Sequence, residues 1–109
     1  GWEGTIPPRK GLVLGYSRYN VAKAFKKWNL NETGIVPKVA NADHELVLST
    51  GHAAKGAEAD DVYLLPWSKI ALERLTKKDA ETLRLLYVML TRARKRVHIP
   101  ITLKARLPM

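Results

Sequence analysis

Glu45-Leu46-Val47-Leu48-Ser49-Thr50-Gly51-His52-Ala53-Ala54-Lys55-Gly56-Ala57-Glu58 passes without a break from an apolar run into a loop bounded by two glycines. The run Glu45–Ser49 has the length and the Leu/Val content of a strand. In an open α/β sheet, ligands collect just beyond the carboxyl ends of the strands, so a loop that begins at Thr50 stands where a ligand would be met. Its composition suits that position. Gly51 and Gly56 let the backbone approach a partner closely, Thr50 and His52 offer hydrogen bonds, Lys55 offers a positive charge, and Glu58 could accept from a sugar hydroxyl. A tight surface turn that needs two glycines would have the same composition. The loop is not a Walker-type phosphate loop, because Lys55 precedes its glycine and no Ser or Thr follows it.

Working outward, Leu12-Val13-Leu14 lies between Gly11 and Gly15 and predicts a buried strand of a parallel sheet. Val21, Ala24, Phe25 and Trp28 fall at i, i+3, i+4 and i+7, which predicts a helix that turns this face inward and Lys23, Lys26 and Lys27 outward, with Asn20 as its cap. Asn29 to Gly34 reads as a break, and Ile35–Val39 as a short extended piece kept at an edge by Pro37. Asp61–Leu65 is a further buried strand, ended by Pro66. Thr76-Lys77-Lys78-Asp79 reads as a capping box that opens a helix with Leu83, Leu86, Tyr87 and Leu90 on its inner face. A last strand is expected over Arg96–Leu103. Gly1–Lys10, with two glycines and an adjacent proline pair, reads as a flexible arm, which leaves residues 11–109 as one domain. Strands alternating with helices imply an α/β layer fold with a mostly parallel sheet.

Composition narrows the function classes. A chain of 109 residues has room for one small domain. Its hydrophobic content of 46% is broken at regular intervals, and no apolar run approaches the roughly 18 residues of a membrane span. Cysteine is absent, which excludes disulfides and thiolate metal sites and fits an intracellular location: cytoplasmic in a bacterium or phage-infected cell, nuclear in a eukaryote. The net charge of +9 favours polyanions through counterion release, although Lys and Arg also serve simply to keep a small domain in solution.

Arg92 is the second candidate for chemistry. It follows the last turn of the expected Thr76-capped helix, between the small residues Thr91 and Ala93. A guanidinium is always charged and matches phosphate oxygens with a planar fork, so it can stabilise charge on a departing phosphoryl group. Equally, Arg92, Arg94, Lys95 and Arg96 could form a basic helix end that complements the helix dipole. Spacing alone does not separate the two. Among the aromatic residues, Trp28, Tyr63 and Tyr87 fall on expected buried positions, whereas Trp67 follows Pro66 in a loop and is the candidate for stacking on a base. Asp60 and Asp61 mark the start of a strand, where neighbouring side chains point to opposite faces. His44 and His98 have no partners at metal-ligand spacing.

Thr50-Gly51-His52-Ala53-Ala54-Lys55-Gly56-Ala57-Glu58 and Leu86-Tyr87-Val88-Met89-Leu90-Thr91-Arg92-Ala93 together resemble the fifth and sixth motifs of the UvrD-like superfamily I DNA helicases, in the family's order. Leu12–Asn20 resembles the fourth motif more loosely. The resemblance implies a second RecA-like domain, three-layered, with a mostly parallel sheet. The gap between the fourth and fifth motifs is too short for the subdomain that UvrD inserts there, so the chain either belongs to a compact branch of the family or has had that insertion removed. It further implies that ATP binds between this domain and a first RecA-like domain of the same polypeptide, which holds most of the Mg2+ site. Arg92 would then be the arginine finger, Arg18 a second phosphate contact, and Gly56 and Glu58 the nucleotide-side lining. Thr50, His52 and Lys55 would face single-stranded DNA, with Trp67 added as a base contact. Ala57 and Ala59 depart from the family by replacing large apolar residues around Glu58. No Walker A or Walker B pattern occurs, so the chain by itself is expected not to hydrolyse ATP. A free-standing basic nucleic-acid-binding module, or a subunit of a helicase-nuclease, would share many of these features.

Overall fold

The computed structural model describes residues 2–30 and 42–107. The extended piece expected over Ile35–Val39 lies outside the described residues. Their elements run β1 (Gly11–Gly15), α1 (Arg18–Lys27), β2 (Leu46–Thr50), β3 (Ala59–Leu64), α2 (Lys69–Thr76), α3 (Ala80–Leu90), β4 (Ala93–His98) and α4 (Ile101–Lys104). The strands form one sheet in the order β2-β1-β3-β4, and every pairing is parallel.

The strict alternation of side chains along β1 explains the layers. Leu12 and Leu14, with Val47, Val62 and Leu64, pack against Ala71 and Leu75 of α2 and Leu85, Leu86 and Met89 of α3. Val13 and Leu48 meet Val21, Ala24, Phe25 and Trp28 on the other face. The sheet is therefore sandwiched between α1 and the α2/α3 pair, as in a RecA-like domain. β2 and β3 lie on either side of β1, and their connection, residues 51–58, inserts Ala54, 1% exposed, into the α2/α3 layer.

The inner face of α1 is the one the sequence predicts, but its cap is Ser17, whose Oγ accepts from the Asn20 backbone N–H at 3.3 Å. α2 has no counterpart in the sequence reading. Thr76, expected to open a helix, closes α2 and donates its hydroxyl hydrogen bond to the Leu72 carbonyl. Lys78 then takes a left-handed conformation (φ 59°), which separates the two helices. Asp79 caps α3, accepting from the Thr82 N–H at 3.0 Å and the Thr82 hydroxyl at 2.7 Å. A carboxylate that satisfies two donors outcompetes a hydroxyl that satisfies one. The buried stripe of α3 is Thr82, Leu85, Leu86 and Met89, and Tyr87 is 68% exposed, so the expected stripe is corrected by about one residue. β4 begins at Ala93 and stops at His98, earlier than expected at both ends; Pro100, which has no N–H to give a ladder, precedes α4.

Trp2 and Gly4, expected to lie in a flexible arm, are tied to the domain, while most of residues 3–10 are exposed. Trp2 donates from Nε1 to the Leu64 carbonyl at 2.6 Å and meets the Tyr63 ring edge-on at 4.9 Å, while Trp28 Nε1 donates to the Gly4 carbonyl at 3.0 Å. Buried indole N–H groups usually find a partner, and these two tie the arm to β3 and α1.

Candidate nucleotide and nucleic-acid interface

The loop after β2 is wound from consecutive turns. Thr50 Oγ1 accepts from the Ala53 N–H at 3.1 Å, and Gly51 N–H donates to the Gly15 carbonyl at 2.9 Å. Ala54 accepts from Ala57 N–H at 2.9 Å. The turns bury Gly51 and Ala54 and leave His52, Lys55, Gly56 and Glu58 exposed. Thr50 is half-buried, with its hydroxyl turned to the loop's own backbone. The two glycines serve different purposes. Gly56 has φ 85° and open space around it, so only its backbone conformation calls for glycine. Gly51 is there for room, because α3 presses directly on it.

Arg92 follows α3 and reaches this loop. Its Nη1 donates to the Ala57 carbonyl at 3.4 Å, and its own carbonyl accepts from the Ala59 N–H at 3.0 Å. Its Nε donates to the Val88 carbonyl at 3.1 Å and its Nη2 to Thr91 Oγ1 at 3.1 Å. Arg92, Gly56 and Glu58 are thus gathered at one place, around Ala57. Arg18 is not part of this group: it is exposed in the first turn of α1, on the helix that packs against the opposite face of the sheet.

The neighbouring basic residues behave differently. The parallel pairing of β3 with β4 sets Asp60 and Asp61 beside the basic run. Arg94 pairs with Asp43 and, at 3.0 Å, with Asp60; Lys95 reaches Asp60 at 3.7 Å. Arg96 and His98 both bind Asp61, at 2.8 and 3.0 Å. Hydrogen bonds from Arg96 and then His98 hold the Asp61 carboxyl at about 2, well below its ordinary 3.8. His98 also stacks on Tyr63, with ring centroids 4.1 Å apart. Among the described residues, Arg92 has only neutral acceptors and no ion pair. Arg94, Lys95 and Arg96 lie on a strand and are charge-paired, so the alternative of a basic helix end does not describe this run.

Trp67, read from sequence as a base contact, is 5% exposed and packs on Tyr16 with ring centroids 4.8 Å apart. A loop position does not prevent burial when the loop lies across a strand end. The space that sequence reasoning missed is next to it. A crevice of about 290 Å3 opens at the carboxyl ends of β1 and β3, lined by Tyr19, Asn20, Lys23, Lys27, Pro66 and Ser68 among others. β1 feeds a helix on one face of the sheet and β3 a helix on the other, so the crevice is at a topological switch point, the usual ligand position in such sheets. Tyr19 is 73% exposed, and Lys23 Nζ is 6.0 Å from its ring centroid. Asn20 Nδ2 bridges to the Pro66 carbonyl at 3.5 Å across 46 residues of sequence, a closeness that no local pattern announces. Among the described residues, no group of three His, Asp or Glu side chains is placed to hold a metal ion. None of the helices among those residues is long and apolar enough to cross a membrane.

An all-parallel sheet between two helical layers, with the loop after β2 and the arginine before β4 in contact, is consistent with a RecA-like domain. The UvrD-like helicase C-terminal domain family matches residues 45–99, half of the chain, from the start of β2 past the end of β4. The chain belongs to that family. No curated protein and no solved structure matches it.

Proposed function

We propose that this chain is the second motor domain of an ATP-dependent superfamily I DNA helicase or translocase, and that Arg92 is its arginine finger. The observation that carries this reading is the state of Arg92: positioned by neutral acceptors at the loop 51–58, with its charge unpaired among the described residues, while the basic residues after it are matched to carboxylates. A guanidinium in that state keeps its full charge for an incoming anion. In this reading ATP binds between the domain and a first RecA-like domain, which holds most of the Mg2+ site. When bound there, the metal would supply charge neutralisation for the phosphates. Arg92 meets the γ-phosphoryl oxygens, Glu58 and the open backbone at Gly56 face the nucleoside, and Arg18, exposed at the start of α1, is a second phosphate contact. His52 and Lys55 face single-stranded DNA beside Thr50, and the basic crevice at Tyr19, Lys23 and Lys27 extends that track.

The test is ATP turnover in the ATP-hydrolysing protein that carries this domain. Arg92→Ala is expected to lower turnover by about three orders of magnitude, the scale on which such arginines act, with the circular dichroism spectrum unchanged. Near-normal turnover in a folded Arg92→Ala protein overturns the assignment and makes Arg92 part of a basic surface.

A further inference from the structure

The last turn of α3 is built around one carbonyl. In a continuing helix the Val88 carbonyl would accept from the Arg92 backbone N–H, but that N–H bonds to Met89 instead, at 3.3 Å. Val88 is thereby left with an orphan acceptor of the kind every helix end must satisfy. Two side chains fill it: Thr91 Oγ1 donates at 3.0 Å and Arg92 Nε at 3.1 Å. The Thr91 hydroxyl has given its only proton to Val88, so towards Arg92 it can act only as an acceptor, and it takes Nη2–H at 3.1 Å. Val88 O, Thr91 Oγ1 and the Nε/Nη2 edge of Arg92 form a closed ring of hydrogen bonds. Nη1 is held separately by the Ala57 carbonyl.

From this geometry we infer that Thr91 is a positioning residue for Arg92: its hydroxyl, oriented by the Val88 carbonyl, fixes the plane of the guanidinium. Three of the five N–H donors are held by neutral oxygens, and two, one on each terminal nitrogen, remain for an anion. Thr91 thus fixes direction without quenching charge. A carboxylate in its place would fix direction as well, but would compete with phosphate. The inference deepens the arginine-finger reading and rests on it for its catalytic consequence. The positioning itself can be tested without turnover.

The experiment combines two measurements on Thr91→Val, which keeps the shape and removes the hydroxyl, and Thr91→Ser, which keeps the hydroxyl. In the chain itself, nitrogen-15 NMR of the arginine side chains reports rotation of each guanidinium about Nε–Cζ. Arg92 rotation is expected to quicken at least fivefold in Thr91→Val and to return to within twofold of the original in Thr91→Ser, with the ion-paired Arg94 as an unchanged internal reference. Unchanged Arg92 rotation in a folded Thr91→Val chain overturns the positioning role, whatever Arg92 does. In the ATP-hydrolysing protein, Thr91→Val is expected to lower kcat about tenfold or more, with the KM for ATP within twofold and recovery in Thr91→Ser. The loss should disappear in an Arg92→Ala background, because a residue acting through another adds nothing once that one is gone. An equal loss in the Arg92→Ala background, or no recovery in Thr91→Ser, overturns the inference. Normal turnover in Arg92→Ala with quickened rotation in Thr91→Val sinks the arginine-finger reading and leaves the hydrogen-bond ring standing.

Discussion

Gly51 lies so close to Met89 that a Cβ built on the glycine would stand 2.6 Å from the methionine Cε, and 2.7 Å from Leu85 Cδ1. The contact joins the loop after β2 to the helix that leads into Arg92. Gly51→Ala adds one carbon where both neighbours are buried, so it should lower stability by about 1–3 kcal/mol, the usual range for overpacking a filled core. Met89→Ala opens space there at its own cost, and the double variant should be less destabilised than the sum of the singles. Urea denaturation of the three variants measures this. Full additivity would mean that Gly51 and Met89 do not press on each other.

The Asp61 carboxyl makes part of the stability depend on acid. Its folded value, about 2, lies below the ordinary 3.8, so its contribution is complete above about pH 4 and is lost as the pH falls from 3.8 towards 2. Arg96 is two-thirds exposed, and solvent screening keeps the contribution small. Asp61→Asn should therefore be less stable than the original chain at pH 6, with the gap at least halved near pH 2. Thermal melts at the two values test it, and a gap that stays constant with pH would remove the contacts with Arg96 and His98 as its cause.

Binding to single-stranded DNA is expected to be weak and to fall steeply with salt. If Lys23 and Lys27 each sit on a phosphate, replacing both with Ala should reduce the slope of log affinity against log salt by about 1.4, at roughly 0.7 per contact on a single strand. Tyr19→Ala should weaken binding by about 1–3 kcal/mol with little change in slope, since stacking is not a counterion effect. Lys104→Ala on α4 is the control. Fluorescence anisotropy at several salt concentrations separates these outcomes, and an unchanged slope in the double-lysine variant would take the crevice out of the track.

Much of this was legible along the chain because it depends on local periodicity or on motif order. The strands around Val13, Val47 and Val62, the inner face of α1 and the loop from Thr50 to Glu58 are all of this kind. The stripe of α3 was not, because Leu83, Leu85, Leu86, Val88, Met89 and Leu90 offer two apolar faces a residue apart, and the long-range packing of Leu85 and Met89 on Gly51 selects one of them. Trp67 misled for a related reason: its loop is obvious in sequence, but the Tyr16 ring that covers it comes from the end of another strand. The pairing of Arg94 and Arg96 with Asp60 and Asp61 needed the β3–β4 register, which residue spacing does not contain.

That register sharpens the comparison between Arg92 and its neighbour. Arg92→Lys keeps a positive charge but presents a compact ammonium, which cannot hold Val88, Thr91 and Ala57 together and still offer a planar fork to an anion. Its turnover should stay within about tenfold of Arg92→Ala. Arg94→Ala removes the pairings with Asp43 and Asp60 on β4 and touches none of the acceptors of Arg92. Its turnover should fall less than tenfold, and its effect should appear instead as a lower melting temperature that converges with the original chain in high salt, as screened surface pairs do. Steady-state ATP turnover and thermal melts on the three proteins measure both. If Arg94→Ala cost as much turnover as Arg92→Ala in folded protein, the two arginines would be acting as one basic surface, and the assignment of Arg92 as the arginine finger would fail.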